Sequence, residues 1–214
     1  MHTVRIPERG KMNRAIIAIA NHKGGVGKSA TAHSLGRALS ERGLSVLLVD
    51  MDPQSSLTEA CGITQDQSAG RSLADVLGGS RPGSLAMADI LRPIGEGLTL
   101  APANIDMSNT ELGLAGRLVG RDSVLRKALA TVKDDYDFVI IDSPPMLGLL
   151  VINSLTAATH VIIPTQPQVV DVRGLILFRQ TLELLRNGDG NPRELGVLLT
   201  FWSGYTLHRN ARQA

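Results

Sequence analysis

The sequence predicts an α/β fold, a doubly wound and mostly parallel sheet flanked by helices. Three observations carry that expectation. Strand-like and helix-like patterns alternate along the 214 residues, the order that right-handed βαβ crossovers build into a parallel sheet. Aromatic residues make up only 3% of the chain, so Val, Ile, Leu and Ala must fill the core, which suits strands buried on both faces. A glycine-rich run, Asn21-His22-Lys23-Gly24-Gly25-Val26-Gly27-Lys28-Ser29, joins the first strand to the first helix. Such sheets bind their ligands beyond the carboxyl ends of the strands.

The elements follow in order. Residues 15–21 begin as the continuous apolar run Ala-Ile-Ile-Ala-Ile-Ala and read as the first strand. Residues 29–42 place Leu35, Ala38 and Leu39 on one helical face. Val46-Leu47-Leu48-Val49 gives a buried strand over 45–50, and a further strand is expected at 98–102. Phe138-Val139-Ile140-Ile141 gives a strand over 138–142; others are expected at 160–164 and 196–201. Helices are expected at 71–77, 123–131, 149–157 and 172–187. The Gly/Ser/Pro-rich stretches 78–83 and 187–192 read as loops, because neither separates two segments able to build a core.

Composition bounds the setting. The formal net charge of +2 is too small to establish nucleic-acid binding by itself. Cys61 is the single cysteine, which excludes an intrachain disulfide and points to a reduced, cytoplasmic compartment. No apolar run reaches the 18 residues or so of a membrane span. Residues 1–13 are polar, carry Arg5, Arg9 and Lys11, and lack a signal-peptide core. They read as a flexible arm before a single domain over 14–214.

The glycine run is a phosphate cradle. Glycines allow backbone N–H groups to converge on an anion, and the following helix N-terminus adds favourable potential. The loop residues Gly24, Gly25, Val26, Gly27, Lys28, Ser29 and Ala30 are therefore expected to hold the phosphates. Lys28 reaches the terminal ones and Ser29 offers a hydroxyl to Mg²⁺. The usual pattern opens on glycine, but His22 occupies that place and a second lysine, Lys23, follows it. Two lysines are then expected to neutralise phosphate charge.

Carboxylates stand where strands should stop. Asp50 and Asp52 follow the 46–49 run, and Asp142 ends the 138–141 run. An apolar strand delivering an aspartate beside such a loop matches the Walker B arrangement, so Asp142 is expected to hold Mg²⁺ directly or through water. Asp52 lies nearer the phosphates and suits the orientation of an attacking water, with Asp50 behind it.

Taken together these motifs resemble the ParA/Soj family of partitioning ATPases, a MinD-like branch of deviant Walker P-loop proteins. The match is K-G-G-x-G-K-[ST] at 23–29, V-D-x-D-P-Q at 49–54 and I-I-D-x-P-P at 140–145. It extends through Leu-Gly-Leu-Leu-x-Ile-Asn at 147–153, Ile-Pro-x-Gln-Pro at 163–167 and Gly-Val-Leu-Leu-Thr at 196–200, so that it covers roughly 14 to 202. The resemblance implies ATP and Mg²⁺ as cofactors and slow, partner-stimulated ATP hydrolysis. It implies Lys28 on the β/γ-phosphates, Lys23 reaching across a dimer to the partner's ATP, Ser29 and Asp142 on the metal, and Asp52 positioning water. It also implies an ATP-dependent sandwich homodimer, non-specific DNA binding, a centromere-binding ParB-like partner, and nucleoid association in chromosome or plasmid partitioning. The D-P-Q signature and the lack of a basic amphipathic C-terminal helix favour ParA-like over membrane-bound relatives.

The chain departs from that pattern in places. Ala30 stands where a second hydroxyl residue is usual, leaving its backbone N–H for an α-phosphate. Ser203 and Tyr205 replace the acidic residue and arginine that follow the last matched strand in the family, and the chain is C-terminally short, stopping at Ala214. Arg173, Arg179, Arg186, Arg193, Arg209 and Arg212 supply basic charge near the end, Arg179 and Arg186 at a helical repeat. Trp202 is expected to bury against the sheet edge. His22 can touch phosphate or an interface; no histidine pair has metal-ligand spacing. The alternatives are a nucleotide-dependent positioning or regulatory protein acting on a non-DNA cargo or septum placement, a biosynthetic or metal-cluster-assembly P-loop enzyme, and a nucleotide binder with little activity.

Overall fold

A computed structural model describes residues 14–78, 85–167, 169–186 and 192–202. Among them one sheet contains β1 (Ala15–Ile19), β2 (Val46–Asp50), β3 (Arg92–Gly95), β4 (Leu98–Ala101), β5 (Phe138–Asp142), β6 (His160–Thr165) and β7 (Arg193–Leu199). The helices are α1 (Lys28–Ser40), α2 (Ser56–Ala60), α3 (Gln65–Ser68), α4 (Leu73–Leu77), α5 (Met87–Ile90), α6 (Met107–Ala115), α7 (Val124–Leu129), α8 (Leu149–Ala157) and α9 (Val169–Arg186).

The spatial order is β3-β4-β2-β5-β1-β6-β7, parallel throughout except for the β3–β4 hairpin at one edge. From β1 the chain travels toward β2 and β4, then returns through β5 and crosses to β6 and β7. That reversal opens a crevice at the carboxyl ends of β1, β2 and β5, where doubly wound folds bind ligands.

Strand alternation divides the core. Leu47, Val49, Val139 and Ile141 point to one face and pack with Leu73, Leu77, Met107, Leu125 and Leu129. Val46, Leu48, Ile17, Ile19 and Ile140 point to the other, against Ala32 and Leu57. Ala18, Val161 and Ile163 join Val151, Leu155, Phe178 and Leu182 in a third cluster beneath α8 and α9. Close packing of α1 on the sheet depends on Gly36, where an added Cβ would lie 2.5 Å from Leu48 Cδ2.

Two polar clamps fix the parallel register. Asp137 Oδ2 accepts from the backbone N–H and hydroxyl of Ser45, and Ser45 Oγ accepts from Asp137 N. The Thr159 hydroxyl accepts from Ile16 N and donates to Ile16 O. The resulting register sets Asp142 opposite Ile19 on one side and Asp50 on the other.

The expected strands at 138–142 and 45–50 and the helix at 149–157 form within one residue of their expected limits. Other limits move. The last strand runs Arg193–Leu199, not 196–201. A register shift around Gly196 lets Arg193 and Glu194 pair with β6, and Phe201 turns to φ 52°, a left-handed backbone that no strand continues. The hairpin strand β3 was not expected, since Pro93 argues against a strand and is tolerated here only at an edge. The short helices α2, α3, α5 and α6 were also not expected; most of them span a turn or so, too short for a hydrophobic period to show. The arm at 1–13 and nearly all of the loop expected at 187–192 lie outside the described residues, as does the loop at 78–83 beyond Gly78.

Candidate functional site

The glycine loop leaves β1 and ends as the N-terminus of α1. Gly25 and Gly27 adopt φ of 70° and 83°, which side-chain-bearing residues rarely take. Gly27 caps α1 with no side-chain hydrogen bond, and the first turn of the helix carries no acidic residue. The free N–H groups there form a seat for an external anion.

Neighbouring elements strap the loop in place. Asn21 donates to Pro164 O at 2.7 Å and accepts from Lys23 N at 3.1 Å. Gln166 Nε2 donates to Gly25 O, and the Thr200 hydroxyl donates to Val26 O at 2.8 Å. These straps were not read from the sequence; the 163–167 and 196–200 motifs that contain Gln166 and Thr200 were the available signal.

Lys28 is buried and its Nζ donates to Lys23 O at 3.0 Å. Burial lowers its pKa, opposed by the charges of Asp142 and then Asp52. Asp142 is completely buried, and neither carboxylate oxygen has a partner of good hydrogen-bond geometry. Burial raises its pKa well above the usual carboxylate range, and the charges of Asp50 and Asp52 add to that; the nearby Ser29 hydroxyl and Lys28 oppose it. Among the described residues the buried hydroxyls of Ser55, Ser143 and Thr165 also lack partners, but Asp142 is the ionisable group left so, and it faces a hydroxyl and a lysine.

Asp50 is placed otherwise. Its Oδ2 accepts from Thr58 N and Thr58 Oγ1, and its Oδ1 from Asp52 N, so it braces the turn after β2. Burial is the main cause raising its pKa to about 6; hydrogen bonds from Thr58 and Asp52 N hold it down. Asp52 is buried at the same turn and accepts from Gln54 N. The fold thus brings Lys28, Ser29, Asp52 and Asp142 together, with half-buried Lys23 five residues before Lys28 along the loop.

Three readings change. His22 does not sit with the phosphate-facing groups; its ring packs on α9 against Phe178, with centroids 6.4 Å apart. Trp202 is 44% exposed instead of buried at the sheet edge. Arg179 is held by Glu194 through bonds of 2.6 and 3.0 Å, and the carboxylate offsets its charge on the half-exposed α9 face. Arg209, Arg212, Ser203 and Tyr205 lie outside the described residues.

Beside the loop a trough of about 600 Å³ is lined by Gly27, Ala30, Thr31, Leu198, Thr200 and Phe201, among others. Exposed apolar side chains include Met146 and Leu147 after β5, and Ile105, Leu112, Leu118 and Val119 on α6 and its flanks. Among the described residues no group of three or more His, Cys, Asp or Glu is placed to hold a metal. A hard cation at Asp142 would therefore need oxygens from a bound phosphate, the Ser29 hydroxyl and water, a donor set that suits Mg²⁺. No helix among the described residues is long and apolar enough to cross a membrane.

A doubly wound sheet with a glycine loop at a helix N-terminus and an aspartate ending the adjacent strand defines a P-loop domain. The AAA domain family pattern matches residues 14–193. The chain is 41% identical over 191 residues to the chromosome partitioning protein ParA of Caulobacter vibrioides, covering 87% of this chain and 69% of that one. It is 38% identical over 193 residues to the sporulation initiation inhibitor protein Soj of Bacillus subtilis, covering 89% and 74%. The chain belongs to the ParA/Soj family of P-loop ATPases. Among solved structures it is similar to cobyrinic acid a,c-diamide synthase from Mycobacterium smegmatis with bound ATP analog and magnesium, with a TM-score of 0.86 and 40% identity over 93% of this chain and 80% of that one. It spans 60% of the length of an uncharacterized Mycobacterium tuberculosis protein to which it is 38% identical.

Proposed function

We propose that residues 14–214 form one ATPase domain that binds Mg-ATP, closes into a sandwich homodimer and holds DNA non-specifically in a partitioning cycle. The observation that carries the reading is Asp142, a buried carboxylate without a partner beside Ser29 and Lys28. Leaving such a group unpaired costs folding energy, which is expected where a ligand supplies the partner.

Ser29 and Asp142 would hold Mg²⁺, which when bound neutralises charge on the β- and γ-phosphates. The backbone N–H groups of Gly24 to Ala30 cradle the phosphates. Lys28 sits between that cradle and the carboxylates and binds the terminal phosphates. Asp52, braced by Asp50, orients the attacking water. Lys23 reaches into the partner's site, and the exposed apolar residues after β5 and around α6 become the dimer contact. Relatives named as chromosome partitioning proteins support the choice of DNA and a ParB-like partner. The cytoplasm, on the nucleoid, is the matching location.

Size exclusion with ATP or ADP, with and without DNA, tests the cycle. The expected result is a dimer with ATP alone and DNA retention that depends on ATP and falls steeply with salt. Lys23→Ala should fold normally and lose turnover by roughly a hundredfold; unchanged ATPase and DNA retention would sink the role of Lys23 in the partner's site. Asp52→Ala should bind ATP and stay dimeric, so wild-type turnover would remove it from catalysis.

The Arg179–Glu194 pair favours a second reading, a nucleotide-dependent positioning protein with a non-DNA cargo, because it weakens a basic face on α9. ATP-dependent dimerisation without DNA retention would select it. An activity built on a cysteine nucleophile gains no support: burial, and then Asp50, push the Cys61 thiol up to about 11.

A further inference from the structure

The leading position of the loop, usually glycine in such cradles, is His22, and the mechanism above gives it no role. Its ring seats against α9 between Gly174 and Phe178. An added Cβ on Gly174 would stand 2.7 Å from His22 Nε2 and 2.9 Å from Cε1. No side chain larger than hydrogen fits beside the ring in its present place. The other side of the seat is Phe178, 1% exposed and part of the cluster under α8 and α9, stacked at 29° to the imidazole. Offset rings at this separation attract each other. His22 is also covalently next to Lys23, whose N–H is held by Asn21 and whose carbonyl receives Lys28 Nζ. The seat therefore fixes the segment from which both loop lysines are positioned.

We propose that His22 is a positioning residue that locks the phosphate loop to α9 through the notch at Gly174, setting the loop geometry required for nucleotide binding. The inference rests on the Mg-nucleotide reading of the loop. Because the clashing atoms in Gly174→Ala belong to the tip of a rotatable side chain, that substitution evicts the ring from its seat while leaving the core packed. His22→Ala empties the seat from the other side. Both routes reach one state, so their effects coincide and do not multiply.

The test is a double-mutant cycle on Mg-ADP affinity, read by titration of a fluorescent ADP analogue, with the nucleotide-free melting temperature measured in parallel. Each single variant should weaken binding roughly tenfold, and His22→Ala/Gly174→Ala should be no weaker than the weaker single. Nucleotide-free melting temperatures should stay within about 3 °C of the parent, a shift of no more than ~1 kcal/mol. Unchanged affinity in either single variant overturns the proposal, as do losses that multiply in the double, or losses matched by a fall in melting temperature. Failure of the parent chain to bind the probe at all overturns the nucleotide reading itself, and is visible before any variant is made.

Discussion

Asp142 is a buried carboxylate whose charge the fold leaves poorly compensated. Its two oxygens lie in a crevice between the ends of β1 and β2, where neither has a hydrogen bond of good geometry and only the nearby Ser29 hydroxyl and Lys28 favour the charge. Burial and the neighbouring Asp50 raise its pKa, because the fold makes the ionised form costly. Asp142→Asn should relieve that cost, because an uncharged group of the same shape needs less solvation. Nucleotide-free protein should melt about 2–4 °C higher, which corresponds to roughly 1 kcal/mol in a domain of this size. Mg²⁺-dependent nucleotide binding should fall by at least about tenfold at the same time, as isothermal titration with and without Mg²⁺ would show. A variant both less stable and unimpaired in binding would mean that Asp142 is an ordinary structural group. Asp50 makes the contrast: it has the same residue type and strand position, but Thr58 already occupies its Oδ2 and Asp52 N its Oδ1.

At the scale of elements, α1 shows how the loop is carried. Its position over β2 depends on Gly36, whose missing Cβ leaves room for Leu48, a residue with no exposed surface. Leu48 cannot yield without disturbing the Val46 and Ile140 layer around it. Gly36→Ala should therefore cost about 1–3 kcal/mol despite its better helix propensity, measurable by urea denaturation; a neutral or stabilising result would show that helix and strand separate easily. This contact was invisible in the sequence, where Gly36 breaks an otherwise ordinary helical pattern. The strands carrying Asp50 and Asp142 were legible because continuous Val/Ile/Leu runs admit few other readings. The loop was legible because its glycines and lysines are adjacent in sequence. The straps from Gln166 and Thr200, and the His22 seat on Gly174, join residues more than 140 positions apart. Local pattern cannot show such pairs. Edge strand β3 escaped for the opposite reason: Pro93 is a true local signal against a strand, outweighed by the pairing of β3 with β4.

For the whole molecule, the crevice couples folding to proton uptake. The pKa of Asp50 rises from 3.8 to about 6 in the folded state. Between those values the folded chain holds a proton that the unfolded chain has released. Unfolding free energy falls with pH wherever the native state binds more protons. The contribution of Asp50 is thus fully present below 3.8 and is lost as pH rises through about 6. Asp142 is shifted in the same direction and adds to the slope. The nucleotide-free protein should accordingly lose stability from these groups as pH climbs through that window. Asp50→Asn should flatten the profile relative to the parent, which cancels the common effect of every other titrating residue. Mg-nucleotide should act the opposite way, because a metal takes the ionised carboxylate and binds more tightly as Asp142 loses its proton. The gap between ligand-bound and ligand-free melting temperatures should therefore widen with rising pH. Melting curves of parent and Asp50→Asn across this range, each with and without Mg-ADP, separate the two effects. Parallel profiles for parent and variant would mean that Asp50 keeps an ordinary pKa. A gap independent of pH would mean that the bound nucleotide does not draw on the buried carboxylate at all.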